Sequence, residues 1–211
     1  MKLCGFPVAR RHVLPANPRS ADQVLIRGFL TGASQAFGNI TDAQRAAWEV
    51  LANKMTRRHL GFDYTPPAIA MHNCVNAYGQ IAGQAITAVA PPELADFSAT
   101  LIETVAYIDA TTTLSFIITH TDTTPFGSWA ISITPAMPSA QRHPRRSDYR
   151  LAEGVAATSI VTASASPQTI TLTSPQYAWT DGQYMGIMLT PLSPDYAPGT
   201  VYTWFGTIAV T

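Results

Sequence analysis

Charge is scarce in this chain. Asp, Glu, Lys and Arg make up 12% of its 211 residues, about half the usual quarter for a globular protein. An isolated domain ordinarily keeps more charge on its surface. Thr, Ser, Ala and Gln fill the space here, which suits surfaces that neighbouring subunits cover, or else a lightly charged extracellular module. Cysteine is nearly absent: Cys4 and Cys74 stand alone. They could pair, but two cysteines make no disulfide framework, and two reduced thiols in a protein made in the cytosol is the simpler reading. No apolar run approaches the length of a membrane span. The N-terminal MKLCGFPVARR is interrupted by Pro7, Arg10 and Arg11 too early for a signal-peptide core.

The familiar catalytic signatures are also missing. There is no G-x-S-x-G, no P-loop and no H-E-x-x-H. Five histidines are present (His12, His59, His72, His120 and His143). His72 and Cys74 form H-x-C, and His59 and Asp63 are spaced as on one helical turn, but a second ligand pair for zinc is lacking. No spacing singles out a Ser-His-Asp triad. No cofactor, no metal and no catalytic residue is therefore expected.

What charge there is lies unevenly. Residues 1–93 carry nine Lys/Arg against five acids, a net of +4, and residues 94–211 carry four Arg against eight acids, a net of −4. Halves of opposite sign attract each other or a neighbour's copies. All four Arg of the second half (Arg142, Arg145, Arg146 and Arg150) lie in one Pro-rich stretch, PAMPSAQRHPRRSDYR. That stretch reads as a solvated loop between strands or as an arm that contacts an acidic surface. Tyr149 is its one aromatic, so a nucleic-acid partner is not expected.

The pattern changes at Ala90-Pro91-Pro92, where two prolines end any helix. Three units follow: an extended arm over 1–18, a helical module over 19–90, and a β-sandwich over 91–211. In the helical module Ser20 and Gln23 form a capping box ahead of an apolar stripe at Val24, Leu25, Phe29, Ala33, Ala36 and Phe37. Thr41 and Gln44 repeat the box ahead of Ala47, Val50, Leu51 and Met55, with Trp48 beside them as a core residue. Two capped helices around a short turn predict an antiparallel hairpin. Gly28 and Gly32, four apart, suggest close approach of another backbone. After a loop at LGFDYTPP, a third helix is expected over 68–82, with Ile69, His72, Val75, Asn76 and Ile81 among its buried positions.

From Leu94 onward seven runs read as strands: SATLIETVAYI, TTTLSFIITH, SWAISIT, TSIVTA, QTITLT, QYMGIMLTPL and VYTWFGTIAV. Alternation places Leu114, Phe116 and Ile118 on one face of the second, and Trp129, Ile131 and Ile133 on one face of the third. Seven short strands at this spacing predict a sandwich. The last two look like the closing hairpin of an immunoglobulin or fibronectin type III fold, with Tyr184 near the start of the penultimate strand. The fold class is thus α+β: a helical hairpin plus a third helix, then a seven-stranded immunoglobulin-like β-sandwich.

Residues 14–95 resemble an N-terminal module of uncharacterised bacterial and prophage-encoded proteins. That pattern is roughly N-P-R-[ST]-x-x-Q-x-x-R-x-x-F, then L-[ST]-x-x-Q-R-x-x-W. The chain matches it at Asn17, Pro18, Arg19, Ser20, Gln23, Arg27, Phe29, Thr41, Gln44, Arg45 and Trp48. Phe29 stands two residues after Arg27 where the pattern has three, and Ile40 replaces Leu. The resemblance extends to Asn76 on a helix leading into the Pro-Pro step. It implies helices followed by an immunoglobulin-like module in phage-like assemblies, and no catalytic residues.

Three functions are in view, of which one, an enzyme, would require a pocket with convergent polar groups that the sequence does not reveal. Another is a structural, non-catalytic subunit of a particle such as a virion. Its partners would be copies of itself and other particle proteins, with no membrane. The chain would be made in the cytoplasm without a classical signal peptide. Phe6 and Val8 would anchor the arm on a neighbour. Arg10, Arg11 and Arg19 would pair with acids of the −4 half, and Arg142, Arg145 and Arg146 would make a second contact. For Arg19 the alternative is a tie from the arm to its own helices. The third function is an adhesion or carbohydrate-binding module, with a glycan on a platform of Tyr177, Trp179, Tyr196, Tyr202 and Trp204. A flexible Pro91-Pro92 linker would make residues 88–96 the first site of proteolysis, and a docked one would protect them.

Overall fold

The computed structural model describes residues 2–3, 6–7, 21–55, 57–59, 62–95, 99–120, 127–137, 144, 148–152, 159–173, 175 and 177–210. Lys2–Leu3 (β1) pairs antiparallel with Phe6–Pro7 (β2). Three helices follow: α1 (Ala21–Asn39), α2 (Asp42–Asn53) and α3 (Ala68–Ile81). Ser20 lies outside the described residues, but the second capping box forms. The Gln44 N–H donates to Thr41 Oγ1 at 3.3 Å, and the Thr41 N–H donates to Gln44 Oε1 at 2.8 Å. Arg45 donates from Nη2 to the Gly38 carbonyl at 3.0 Å, so a cation meets the carbonyl end of α1, where the helix dipole favours it.

The expected hairpin is corrected in its packing. α1 and α2 each pack against α3 instead of chiefly against each other. The core they share holds Ile40, Trp48, Leu51, Ala52, Met55, Met71 and Val75, with Phe37 alongside. Because α3 approaches α2 on the side of Trp48, Leu51 and Ala52, Ala47 and Val50 are turned to solvent, Val50 with 61% exposure. Val24 and Ile69 are likewise exposed, while His72, Val75, Asn76 and Ile81 are buried as expected. Gly28 has no neighbour, and Gly32 faces the Ile86 side chain, so neither brings a second backbone close. The stretch before α3 is no simple loop: Arg57–His59 (β3) pairs with Phe62–Tyr64 (β4), setting Arg58 opposite Asp63. His59 and Asp63 are therefore strand residues, and helical spacing does not apply to them.

The second half forms two packed sheets from β5 (Ala99–Ile108), β6 (Thr113–His120), β7 (Ser128–Ile133), β8 (Arg150–Leu151), β9 (Ile160–Thr162), β10 (Gln168–Leu172), β11 (Tyr184–Leu192), β12 (Tyr202–Thr207) and β13 (Ala209–Val210). One sheet runs β10-β6-β5-β13; the other runs β12-β11-β7-β8, with β9 also on β7. All seven expected runs contain strands. Among the described residues the count rises to nine, because β8, two residues long, shows no alternation in sequence. In addition the last run divides at Ile208: β12 pairs antiparallel with β11, and β13 crosses to pair parallel with β5.

The two sheets bury one core. Leu114, Phe116 and Ile118 from β6 meet Trp129, Ile131 and Ile133 from β7, and Met185, Ile187 and Leu189 from β11. Most buried polar side chains are hydrogen-bonded, and Gln168 is. Its Oε1 accepts from Trp129 Nε1 and the Ser164 N–H, both at 3.2 Å, and its Nε2 donates to the Thr162 carbonyl at 2.8 Å.

On the outer face of the second sheet Gly186 is a packing requirement. A Cβ there would lie 2.7 Å from Tyr149 Oη and 2.9 Å from Pro144 Cγ. Gly186→Ala must displace both, and overpacking of this kind typically costs about 1–3 kcal/mol. Chemical denaturation should show that loss, together with greater solvent exposure of Tyr149.

Candidate functional site

Among the described residues, the loop between β11 and β12 joins the sandwich to the helical core. Residues 193–199, between β11 and β12, reach into the helical core. Ala197 is fully buried in the cluster of Trp48, Leu51 and Val75, and Tyr196 packs beside it. The turn is closed by Ser193, whose Oγ accepts from the Ala197 N–H at 3.0 Å and whose N–H donates to the Ala197 carbonyl at 2.9 Å. Tyr196 takes φ of +63°, a conformation that costs a non-glycine residue about 1–3 kcal/mol and persists only when the surroundings enforce it.

The linker between the modules is held on the same surface. Asn76 Oδ1 accepts from the Thr87 N–H at 2.7 Å, while its Nδ2 donates to the carbonyls of Thr87 (3.2 Å) and His72 (3.0 Å). Trp48 Nε1 donates to the Ala88 carbonyl at 3.0 Å, and Lys54 Nζ to the Pro92 carbonyl at 2.8 Å. Pro91 is buried. A Cβ at Gly199 would lie 2.6 Å from the Ala95 carbonyl oxygen, so glycine is what lets the sandwich loop lie against the linker. Beside these groups lies a cleft of about 440 Å³ lined by Asn76, Gln84, Thr87, Asp195 and Tyr196 among others.

His72 sits beneath this surface. It is fully buried, with its ring edge-on to Phe37 (5.2 Å) and to Trp48 (4.9 Å). Neither ring nitrogen has a hydrogen-bond partner. Burial pushes its pKa below 6.5, and the nearby Asn73 side chain and Thr87 backbone only temper that shift, without reaching bonding geometry. His72 is thus a neutral core residue and no general base facing a cleft. Cys74 is half-buried, and among the described residues no three His, Cys, Asp or Glu side chains converge as metal ligands.

A second concavity, about 450 Å³, lies on the outer face of the second sheet, lined by Pro144, Tyr149, Met188, Thr203, Trp204 and Phe205. The Tyr149 hydroxyl has its pKa raised by burial, with the Asp148 charge adding to the effect. The five aromatics considered as a sugar platform, most of which suited burial equally well, are divided between the two cores. Trp179 is buried in the sandwich core, Tyr177, Tyr202 and Trp204 pack against that core, and Tyr196 belongs to the helical core. Of the expected interface residues, the backbone of Phe6 lies in β2. Val8, Arg10, Arg11, Arg19, Arg142, Arg145 and Arg146 lie outside the described residues.

No protein-family model, no curated protein and no solved structure matches the chain. Four of the residues quoted for the resemblance have mechanical roles in the fold. Thr41 and Gln44 cap α2, Arg45 ties α2 to the end of α1, and Trp48 fills the core and holds the linker. The junction loop was not visible in sequence. SPDYAPG reads only as a turn between two strands, and nothing in it signals a partner more than a hundred positions earlier.

Three outcomes follow from this junction. Trp48→Ala, which removes a buried ring and the Ala88 bond, is expected to cost about 3–5 kcal/mol, read by denaturant titration. Limited proteolysis should spare residues 88–96. For His72, the unfolded chain binds a proton near pH 6.5 and the folded one resists it, so stability is full above that pH and falls as pH drops below it. Melting temperature measured from pH 8 to pH 5 should show that decline, and it should be smaller in His72→Phe.

Proposed function

We propose that this chain is a structural, non-catalytic subunit of a multi-subunit particle, a phage or phage-derived virion component. The observation that carries this reading is where apolar surface is left uncovered. Val24, Leu30, Val50, Tyr64, Ile69, Ile86 and Val89 are large, exposed and apolar, and all belong to the helical half; in the sandwich Ile108 alone is comparable among the described residues. Apolar surface concentrated on one part of a molecule, with little charge to hydrate it, suits a contact with other subunits. The mechanical roles of the prophage-like motif and the docked junction fit a part whose task is to hold shape.

Within this reading the sandwich is immunoglobulin-like. Its support is the strand arrangement: β5, β6 and β10 share one sheet while β7, β11 and β12 share the other, as strands A, B, E and C, F, G do in that fold. Trp129 is buried on β7, the third strand of the sandwich, and Tyr184 opens β11. A glycan-binding module is the second reading. What favours it is the groove beside Trp204 and Phe205, whose rings could stack on a sugar; a glycan array decides it.

The particle reading is tested by deleting residues 2–14. Native mass spectrometry and electron microscopy of the full chain should show assemblies, and the truncated chain should be monomeric with an unchanged circular dichroism spectrum. A full chain that stays monomeric at high concentration overturns the reading. Normal assembly of the truncated chain moves the interface away from the arm.

A further inference from the structure

Every sheet edge presents backbone N–H and C=O groups that another strand can pair with, and proteins block them with charge, proline, bulges or brevity. In this sandwich β8, β9 and β13 are two or three residues long. β5 carries two register shifts against β6. Two end strands among the described residues have none of these devices: β12, which pairs with β11 in unbroken register and whose chain runs on to β5, and β10. All five residues of β10 pair with β6 in unbroken register, from Gln168 opposite Ile118 to Leu172 opposite Leu114. β10 lies in a stretch, residues 154–180, without one Asp, Glu, Lys, Arg or His. The side chains it shows to solvent are Thr169 and Thr171. The outer sheet face beside them is built of Ser115, Ile117 and Ala106, with Glu103 as the charge in those rows.

The hydrogen-bonding direction of each residue follows from one bond. The His120 N–H donates to Ser166 Oγ at 3.0 Å, so His120, and with it Ile118, Phe116 and Leu114, bonds toward the β10 side. In an antiparallel ladder this direction alternates. Gln168, Ile170 and Leu172 therefore bond to β6, while Thr169 and Thr171 turn their N–H and C=O groups outward. No hydrogen bond from either residue is made to any other described element.

We propose that this edge is a self-pairing site, at which β10 of one copy joins β10 of a second copy antiparallel about a two-fold axis at Ile170. Thr169 then stands opposite Thr171 of the second copy, each exchanging both of its outward backbone bonds, and one sheet continues through two molecules. The outward donors and acceptors are matched by an extended strand of the same spacing, and a second copy supplies one in a closed, self-complementary contact. Threonine opposite threonine is also a favourable cross-strand pair. The inference rests on the particle reading above and names one of its contacts.

Thr171→Pro tests it, because it removes an outward N–H and nothing that β6 uses, and proline is tolerated on an edge strand in that orientation. In native mass spectrometry of the full chain, the wild type is expected to form even-numbered species and Thr171→Pro species of half their mass, with the same circular dichroism. The double variant Thr169→Cys/Thr171→Cys is expected, on oxidation, to give a reducible dimer beyond any formed through Cys4 and Cys74 in the wild type. This second measurement decides the matter if the proline variant fails to fold. Undiminished assembly of Thr171→Pro, or dissociation by Thr203→Lys on β12 alone, overturns the β10 edge and leaves the particle reading standing. A wild-type chain that is monomeric at every concentration, with no added cross-linking in the cysteine variant, overturns both.

Discussion

The insertion of residues 193–199 into the helical core makes one body of two modules. Three short helices bury a small amount of apolar surface, and small cores are marginal. Ala197 and Tyr196 complete the cluster around Trp48 and Val75 from a position in the sandwich. The same junction immobilises the linker, because Asn76, Trp48 and Lys54 bond to the carbonyls of Thr87, Ala88 and Pro92 in turn. A chain that reads as two units joined by a Pro-Pro spacer is mechanically continuous across that spacer.

Thr41, Gln44, Arg45 and Trp48 are each used by the fold itself. Arg45 closes α1, and its pair with Asp42 at 3.4 Å is exposed, so the guanidinium matters more as a cap than as half of an ion pair. The joined unit presents uncovered apolar side chains on the helical half and, among the described residues, an end strand at β10.

Much of the architecture was legible in the sequence. The Thr41 box, the extent of α3, the alternation of β6 and β7 and the seven strand-bearing runs rest on local rules of spacing, and local rules read well in one dimension. The failures share a cause. Val50 and Ala47 were expected inside because they continue an apolar period, but which side of α2 is buried is set by where α3 lies. The hairpin of β3 and β4, the two-residue β8 and the departure of β13 to the other sheet are decided by partners far along the chain. Of the five aromatics considered as a platform, Tyr202 and Trp204 lie on β12 while Tyr177, Trp179 and Tyr196 lie outside the strands, and all five pack in or against one of the two cores. The junction, where the site-like features converge, was the least visible, since a loop of Pro, Asp and Gly carries no periodicity. The expected arginine contacts lie outside the described residues.

The crossing of the last strand also orders the events of folding in time. β13 pairs Ala209 with Ala106 and Val210 with Tyr107, contacts that span about half the chain and close slowly, because the loop entropy must be met before the contact forms. On a chain emerging residue by residue, the helices appear first with the place for Ala197 vacant, and β5 waits with one side open until residue 209 has been made. The sandwich and the helices are thus completed by nearly the same late segment. Each half is least protected while the other is being built, the interval in which copies on neighbouring ribosomes are most exposed to each other.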